Sequence, residues 1–151
     1  MKDQFTEPDT VEWLGATYKF VLTGEHTDGA LSIVDSTCPV GCGPPRHVHQ
    51  DAEETFVMLS GQCDFWLEGK IFSAIEGESI LVPRGAEHSF RVTGSEPSRH
   101  LVILSPAGFE GFFREMAEGD YAIPSDMARI AEIARRYQLE FTGPPLGAET
   151  E

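Results

Sequence analysis

The residues able to do chemistry gather in two segments. In the first, Gly41 to Gly61, His47 and His49 stand one residue apart. Gln50-Asp51-Ala52 separates them from Glu53 and Glu54, and the run Thr55-Phe56-Val57-Met58-Leu59 ends at Ser60-Gly61. In the second, Gly77 to His88, Ile80-Leu81-Val82 stops at Pro83-Arg84-Gly85 and His88 follows. Side chains alternate across a strand, so His47 and His49 point to one side and their imidazoles can share a metal ion. Glu54 lies an odd number of residues after His49, which on a continuous strand would put it on the opposite face. A turn at residues 50–52 removes that conflict. The strand beyond it then carries Glu54, Phe56 and Met58 on one face, and Glu53, Thr55, Val57 and Leu59 on the other. A one-residue shift would make Glu53 the carboxylate instead. His88, with Phe90 on the same face, must come from a distant strand. Three imidazoles and a carboxylate suit Fe, Ni, Zn, Cu, Co or Mn. With four protein ligands, an octahedral ion keeps two positions open for water or substrate, which indicates catalysis more than a structural role.

Other candidate groups read as ordinary. His26 falls in a turn and reads as a surface histidine. His100 lies in a strand between Arg99 and Leu101 and reads as packing. Arg84 is a turn arginine near the mouth of the site, and Cys63 a small core residue. Cys38 and Cys42 bracket a loop, but a single C-x-x-x-C lacks the second pair of a structural zinc site.

These residues need a scaffold of strands. Fifteen glycines and ten prolines punctuate the chain rather than forming one tract, which suits many short strands joined by turns. Strands are expected over residues 16–23, 30–38, 62–67, 71–75, 79–82, 87–93 and 99–104, with no helix between them. This pattern predicts an antiparallel barrel or sandwich. At Ser105-Pro106 the period changes. Serine as N-cap and proline at the first helical position predict a helix carrying Phe109, Phe112, Phe113 and Met116 on one face, ended by Gly119. A second helix is expected from Pro124-Ser125-Asp126, with Met127, Ile130, Ala134 and Tyr137 on one face. These helices could cover an opening of the barrel or pack outside the sheet; outside packing is the expectation. The implied division is an arm over 1–12, a barrel over 13–104, helices over 105–142 and a flexible tail over 143–151.

With 11 basic and 25 acidic residues the net charge is -14. Such a surface repels nucleic acid and anionic membranes, so neither is an expected partner. The N-terminal residues form no apolar targeting segment, no apolar run reaches membrane-spanning length, and the cysteines are odd in number. A cytoplasmic setting with free thiols is expected.

The joint spacing resembles a known family. Gly41, five residues, His47-Val48-His49, four residues, Glu54, six residues and Gly61 looks like the first cupin motif. Gly77, five residues, Pro83-Arg84-Gly85, two residues and His88 looks like the second. The family often has asparagine four residues after that histidine; Val92 stands there. The resemblance implies an all-β cupin jelly-roll barrel with two short C-terminal α-helices. It also implies one divalent transition metal per chain, ligated by His47, His49, Glu54 and His88. Trp13-Leu14-Gly15, Pro44-Pro45-Arg46-His47 and Ser105-Pro106-Ala107-Gly108-Phe109-Glu110 further resemble small bacterial monocupins grouped with quercetin 2,3-dioxygenase-like proteins. That grouping implies an oxidoreductase acting on a small, flat, enolisable molecule of flavonol or diketone type. Glu54 would be its base, and Phe56, Met58 and Phe90 the walls of its pocket. The same barrel also hosts isomerases, lyases and cyclases that do not use O2, and non-catalytic binding proteins. The outward face with Val57 and Leu59 needs cover, and a homodimer would provide it.

Overall fold

A computed structural model describes residues 8–148. In chain order its elements are β1 (Thr10–Trp13), β2 (Ala16–Leu22), α1 (Gly24–Thr27), β3 (Ser32–Cys38), β4 (Pro45–His49), β5 (Glu53–Ser60) and β6 (Gln62–Leu67). There follow β7 (Lys70–Ile75), β8 (Ser79–Val82), β9 (His88–Thr93), β10 (Ser98–Ser105), α2 (Glu110–Gly119), α3 (Met127–Arg135) and β11 (Leu139–Pro145). The strands make two antiparallel sheets, ordered β1-β2-β3-β10-β5-β8 and β11-β4-β9-β6-β7. They face one another as a jelly roll rather than closing into one continuous ring, because β1 and β11 end their sheets on one side, and β8 and β7 on the other.

Alternation decides what fills the space between the sheets. On β5, Glu54, Phe56 and Met58 are buried; on β10, Ser98, His100, Val102 and Leu104 are; on β3, Val34, Ser36 and Cys38 are. The core is therefore built from period-two strands, with Phe20, Phe65 and Val92 completing it. A smaller core joins the helices to the sheet edges: Phe112, Met116, Ile130, Ile133 and Ala134 pack with Trp13 of β1 and Leu139 of β11. Helices α2 and α3 thus bridge the β1 and β11 edges and close that side of the sandwich.

Several expectations change here. The turn over Gly24 to Gly29 contains the short helix α1, where Thr23 and His26 form a reciprocal capping box. Ser105 does not cap a helix. It ends β10, where its neighbours still pair with β5, and α2 begins only at Glu110. The arm assigned to 1–12 includes strand residues, since Thr10 to Trp13 pair with Ala16 to Lys19; residues 1–7 lie outside the described part. The larger change is β11. Residues 139–142, assigned to the helical segment, and 143–145, assigned to the tail, form a strand along β4, pairing Leu139 with His49 and Phe141 with His47. Its prolines hid it. Pro145 pairs opposite Pro45 at the very edge of the sheet, where a missing N–H costs no ladder bond. The rest of the predicted tail, 149–151, lies outside the described residues. No described helix is long and apolar enough to cross a membrane.

Candidate metal centre and cavity

The site spans both sheets. Strand β4 supplies His47 and His49, β9 supplies His88 directly opposite His47, and β5 of the facing sheet supplies Glu54. All four are buried, and one ligand atom from each lies within 4.8 Å of the others, so the group could hold a metal ion. Glu53, the alternative carboxylate, is exposed on the outer face of the same strand. The turn at residues 50–52 resets the parity as the spacing required.

Protonation tests whether the donor set fits a cation. Nδ1 of His47 is 2.7 Å from the carbonyl oxygen of Pro45, and Nδ1 of His88 is 2.9 Å from that of Ala86. A carbonyl only accepts, so both Nδ1 atoms carry hydrogen and both Nε2 atoms turn lone pairs inward, the tautomer that metal-binding histidines adopt. Nε2 of His88 is nevertheless 2.8 Å from Glu54 Oε1. With Nδ1 already protonated and the Glu54 carboxyl held ionised, that contact implies a proton on the imidazole or a cation at the centre. Nε2 of His49 lies 3.4 Å from the same oxygen as an ion-pair contact, and this buried nitrogen makes no hydrogen bond of good geometry among the described residues. The residues present therefore fit a metal ion.

The electrostatics agree. Burial, then the neighbouring His88 and His49, push His47 well below the usual imidazole range. Burial opposes charge on Glu54, but His49 and His88 outweigh it and hold the carboxyl well below its usual value. Burial likewise works against a charged His88, and the Glu54 contact overrides it and raises the pKa.

Beside this group lies a cavity lined largely by rings. Phe56 and Phe90 form one wall, with centroids 5.5 Å apart. Met58, expected as a third wall residue, is buried deeper and does not line the cavity. Phe109, Phe112 and Phe113 do line it, and the His49 and Phe109 rings meet nearly perpendicular with centroids 4.5 Å apart. The expectation of helices packed on the outside is therefore corrected for α2, whose first turns cover the cavity beside the metal group; α3 packs against the β11 edge and lines no part of it. His100 was read as packing, yet it also lines the cavity, as do Tyr18, Ser36, Cys38 and Cys42. Period-two alternation turns the strand residues among these inward, but nothing in one sequence says which inward positions border a void. Arg84 is exposed in its turn and lines no part of this cavity. The three cysteines are free thiols and none joins the metal-capable group.

Residues 35–104 match the cupin domain family model. Together with the two-sheet fold, this match, just under half of the chain, identifies a cupin domain over that segment. The chain resembles quercetinase-like members of the family: it is 32% identical over 101 residues to quercetin 2,3-dioxygenase of Bacillus subtilis, covering 67% of this chain and 30% of that protein. A match to an uncharacterized protein of Aquifex aeolicus is 39% identical over 61 residues, 40% of this chain and half of that one. The chain thus spans well under two thirds of these relatives. Among solved structures, KdgF from Halomonas superposes with a TM-score of 0.60 at 18% identity, covering 73% of this chain and 94% of that one; at that identity the likeness shows the fold alone.

Proposed function

We propose that this cupin is a metal-dependent dioxygenase acting on a small, flat, enolisable molecule of flavonol or diketone type. The observation that carries the reading is the convergence of four buried donor groups within 4.8 Å at one end of a ring-lined cavity. The similarity to quercetin 2,3-dioxygenase supports the substrate class. His47, His49, Glu54 and His88 are the proposed ligands of one divalent transition metal. When bound, the ion supplies Lewis-acid stabilisation of an enolate oxygen and a centre for chemistry with O2.

The protein's own residues do the rest. Phe56 and Phe90 hold the substrate rings and exclude water. Phe109 closes the cavity over His49. Glu54, ionised because His49 and His88 stabilise its charge, takes the enol proton, since it is the only carboxylate among the described lining residues. On this reading the chain works in the cytoplasm as a homodimer, with its cysteines reduced. The test is elemental analysis of purified protein followed by O2 uptake with a panel of flavonols and β-diketones. About one metal per chain and uptake with at least one compound are expected. No uptake with any metal loaded overturns the dioxygenase reading, and turnover under strict anaerobiosis would assign an isomerase, lyase or cyclase instead.

A further inference from the structure

The cavity has a second polar end that the chemistry above does not use. Tyr18, Ser36 and His100 stand on three neighbouring strands in direct register, Tyr18 opposite Ser36 and Ser36 opposite His100. All three line the cavity. Ser36 is 1% exposed, and its Oγ has no hydrogen-bond partner among the described residues. A buried hydroxyl left unpaired costs about 1–3 kcal/mol, so a polar group at this position invites a partner from within the cavity.

Its neighbours are set for the same task. Ser98 Oγ lies 3.2 Å from Nδ1 of His100, while Phe90 and Phe56 flank the imidazole with centroids 5.4 and 5.8 Å away. Burial pushes the pKa of His100 down to about 4, against the pull of Glu54 and Asp35, so the ring is neutral near pH 7. The Tyr18 ring stacks on Phe113 at 4.3 Å. Burial, then Cys38 and Cys42, raise its phenol well above the usual range, so it stays protonated. The row is therefore uncharged and able both to donate and to accept. No lysine or arginine is among the described lining residues, so a carboxylate or phosphate would go unmatched here. Between the two ends the wall is apolar, with Phe56, Phe90 and Val102. Glu54 pairs with Leu104, and His100 lies four residues back along the same strand. At about 3.3 Å per residue the two ends are then ~13 Å apart along the sheet.

We propose that the Tyr18–Ser36–His100 row is a second recognition site, at which Ser36 selects ligands carrying a neutral hydroxyl or carbonyl oxygen remote from the oxygens held at the histidine–glutamate end. The inference deepens the proposed function and rests on its metal-bound end. It is tested by calorimetric titration of the metal-loaded protein under anaerobic conditions, using two flavonols that differ by one hydroxyl on the ring remote from the hydroxyketone. The hydroxylated ligand should bind about three- to tenfold more tightly. Ser36→Ala should abolish that ratio without lowering Tm, since it removes an unpaired hydroxyl. His100→Phe should shrink the ratio as well. Equal affinities in the wild type, or a preference that survives Ser36→Ala, overturn the inference. O2 uptake is measured separately. A preserved preference without uptake from any compound of the panel sinks the dioxygenase chemistry and leaves the two-ended site standing; uptake without preference does the reverse; binding of neither flavonol overturns the inference, and the dioxygenase reading then stands or falls on uptake with the β-diketones.

Discussion

His47, His49, Glu54 and His88 derive their character from one another, so single substitutions have large effects. His47→Ala, His49→Ala or His88→Ala should each weaken metal binding by about a hundredfold or more, read as metal retained per chain after dialysis against a chelator. Retention at the wild-type level by all three would remove the metal assignment. Glu54→Gln keeps the shape of the side chain but not its charge, and should abolish turnover while leaving the fold intact by circular dichroism. His100 makes a prediction on pH. An unfolded histidine titrates near 6.5, whereas the folded His100 titrates at about 4. Between those values the unfolded chain binds a proton that the folded chain refuses. Its contribution is fully retained above about pH 6.5 and is lost progressively as pH falls towards 4, by about 2 kcal/mol between pH 7 and 5. Urea midpoints for wild type and His100→Phe should therefore diverge as the pH is lowered, the variant falling less steeply; parallel profiles would contradict this.

At the scale of elements, the histidine strand depends on a partner at the far end of the chain. β4 pairs with β9 only through His47 and His88, whereas β11 runs beside it from Leu139 opposite His49 to Pro145 opposite Pro45. The Gln50 amide also donates to the Glu140 carboxylate at 2.7 Å. Truncation after Gln138 should lower Tm and metal affinity together, because it frees one side of the strand that holds two of the four donors. A truncated chain that binds metal as tightly as the full one would show that β9 alone orients them. The end of β5 makes a second prediction. Gly61 has φ +80, and a Cβ there would meet the carbonyl oxygen of Pro97 at 2.6 Å and Cα of Ser98 at 2.7 Å. Gly61→Ala should cost about 2 kcal/mol or more. Gly69→Ala, at φ +85 in open space, should cost less, which separates the clash from the backbone strain.

For the whole molecule, the outer face of the six-stranded sheet bears on assembly. Ile33, Ile103, Thr55 and Leu81 form one register row across four strands, and Leu81 is 56% exposed. A largely apolar row on an outward sheet face is the kind of surface that a second copy covers. Light scattering should return twice the 16.6 kDa chain mass. Leu81→Lys, which leaves the cavity untouched, should shift the protein to monomer. A wild-type monomer at tens of micromolar would remove the dimer.

The candidate donors and an antiparallel all-β fold were legible in the sequence because both rest on local rules, while the jelly roll and the shared set of four ligands were implied by the resemblance to the cupin motifs. Alternation puts His47 and His49 on one face, the turn at residues 50–52 resets Glu54 inward, and glycine and proline mark where short strands must end. Tertiary structure decided what depends on contacts between distant segments. Only the meeting of two sheets brings Glu54 to the three imidazoles. Only the pairing of residues 139–145 with β4 turns a proline-bearing tail into a strand, and only the bridging of two sheet edges by α2 and α3 draws Phe109 over His49. From the sequence, His100 reads as a packing residue and Ser36 only as part of a strand. That they border a cavity follows from how the neighbouring side chains fill the remaining space, which no local pattern in the chain encodes.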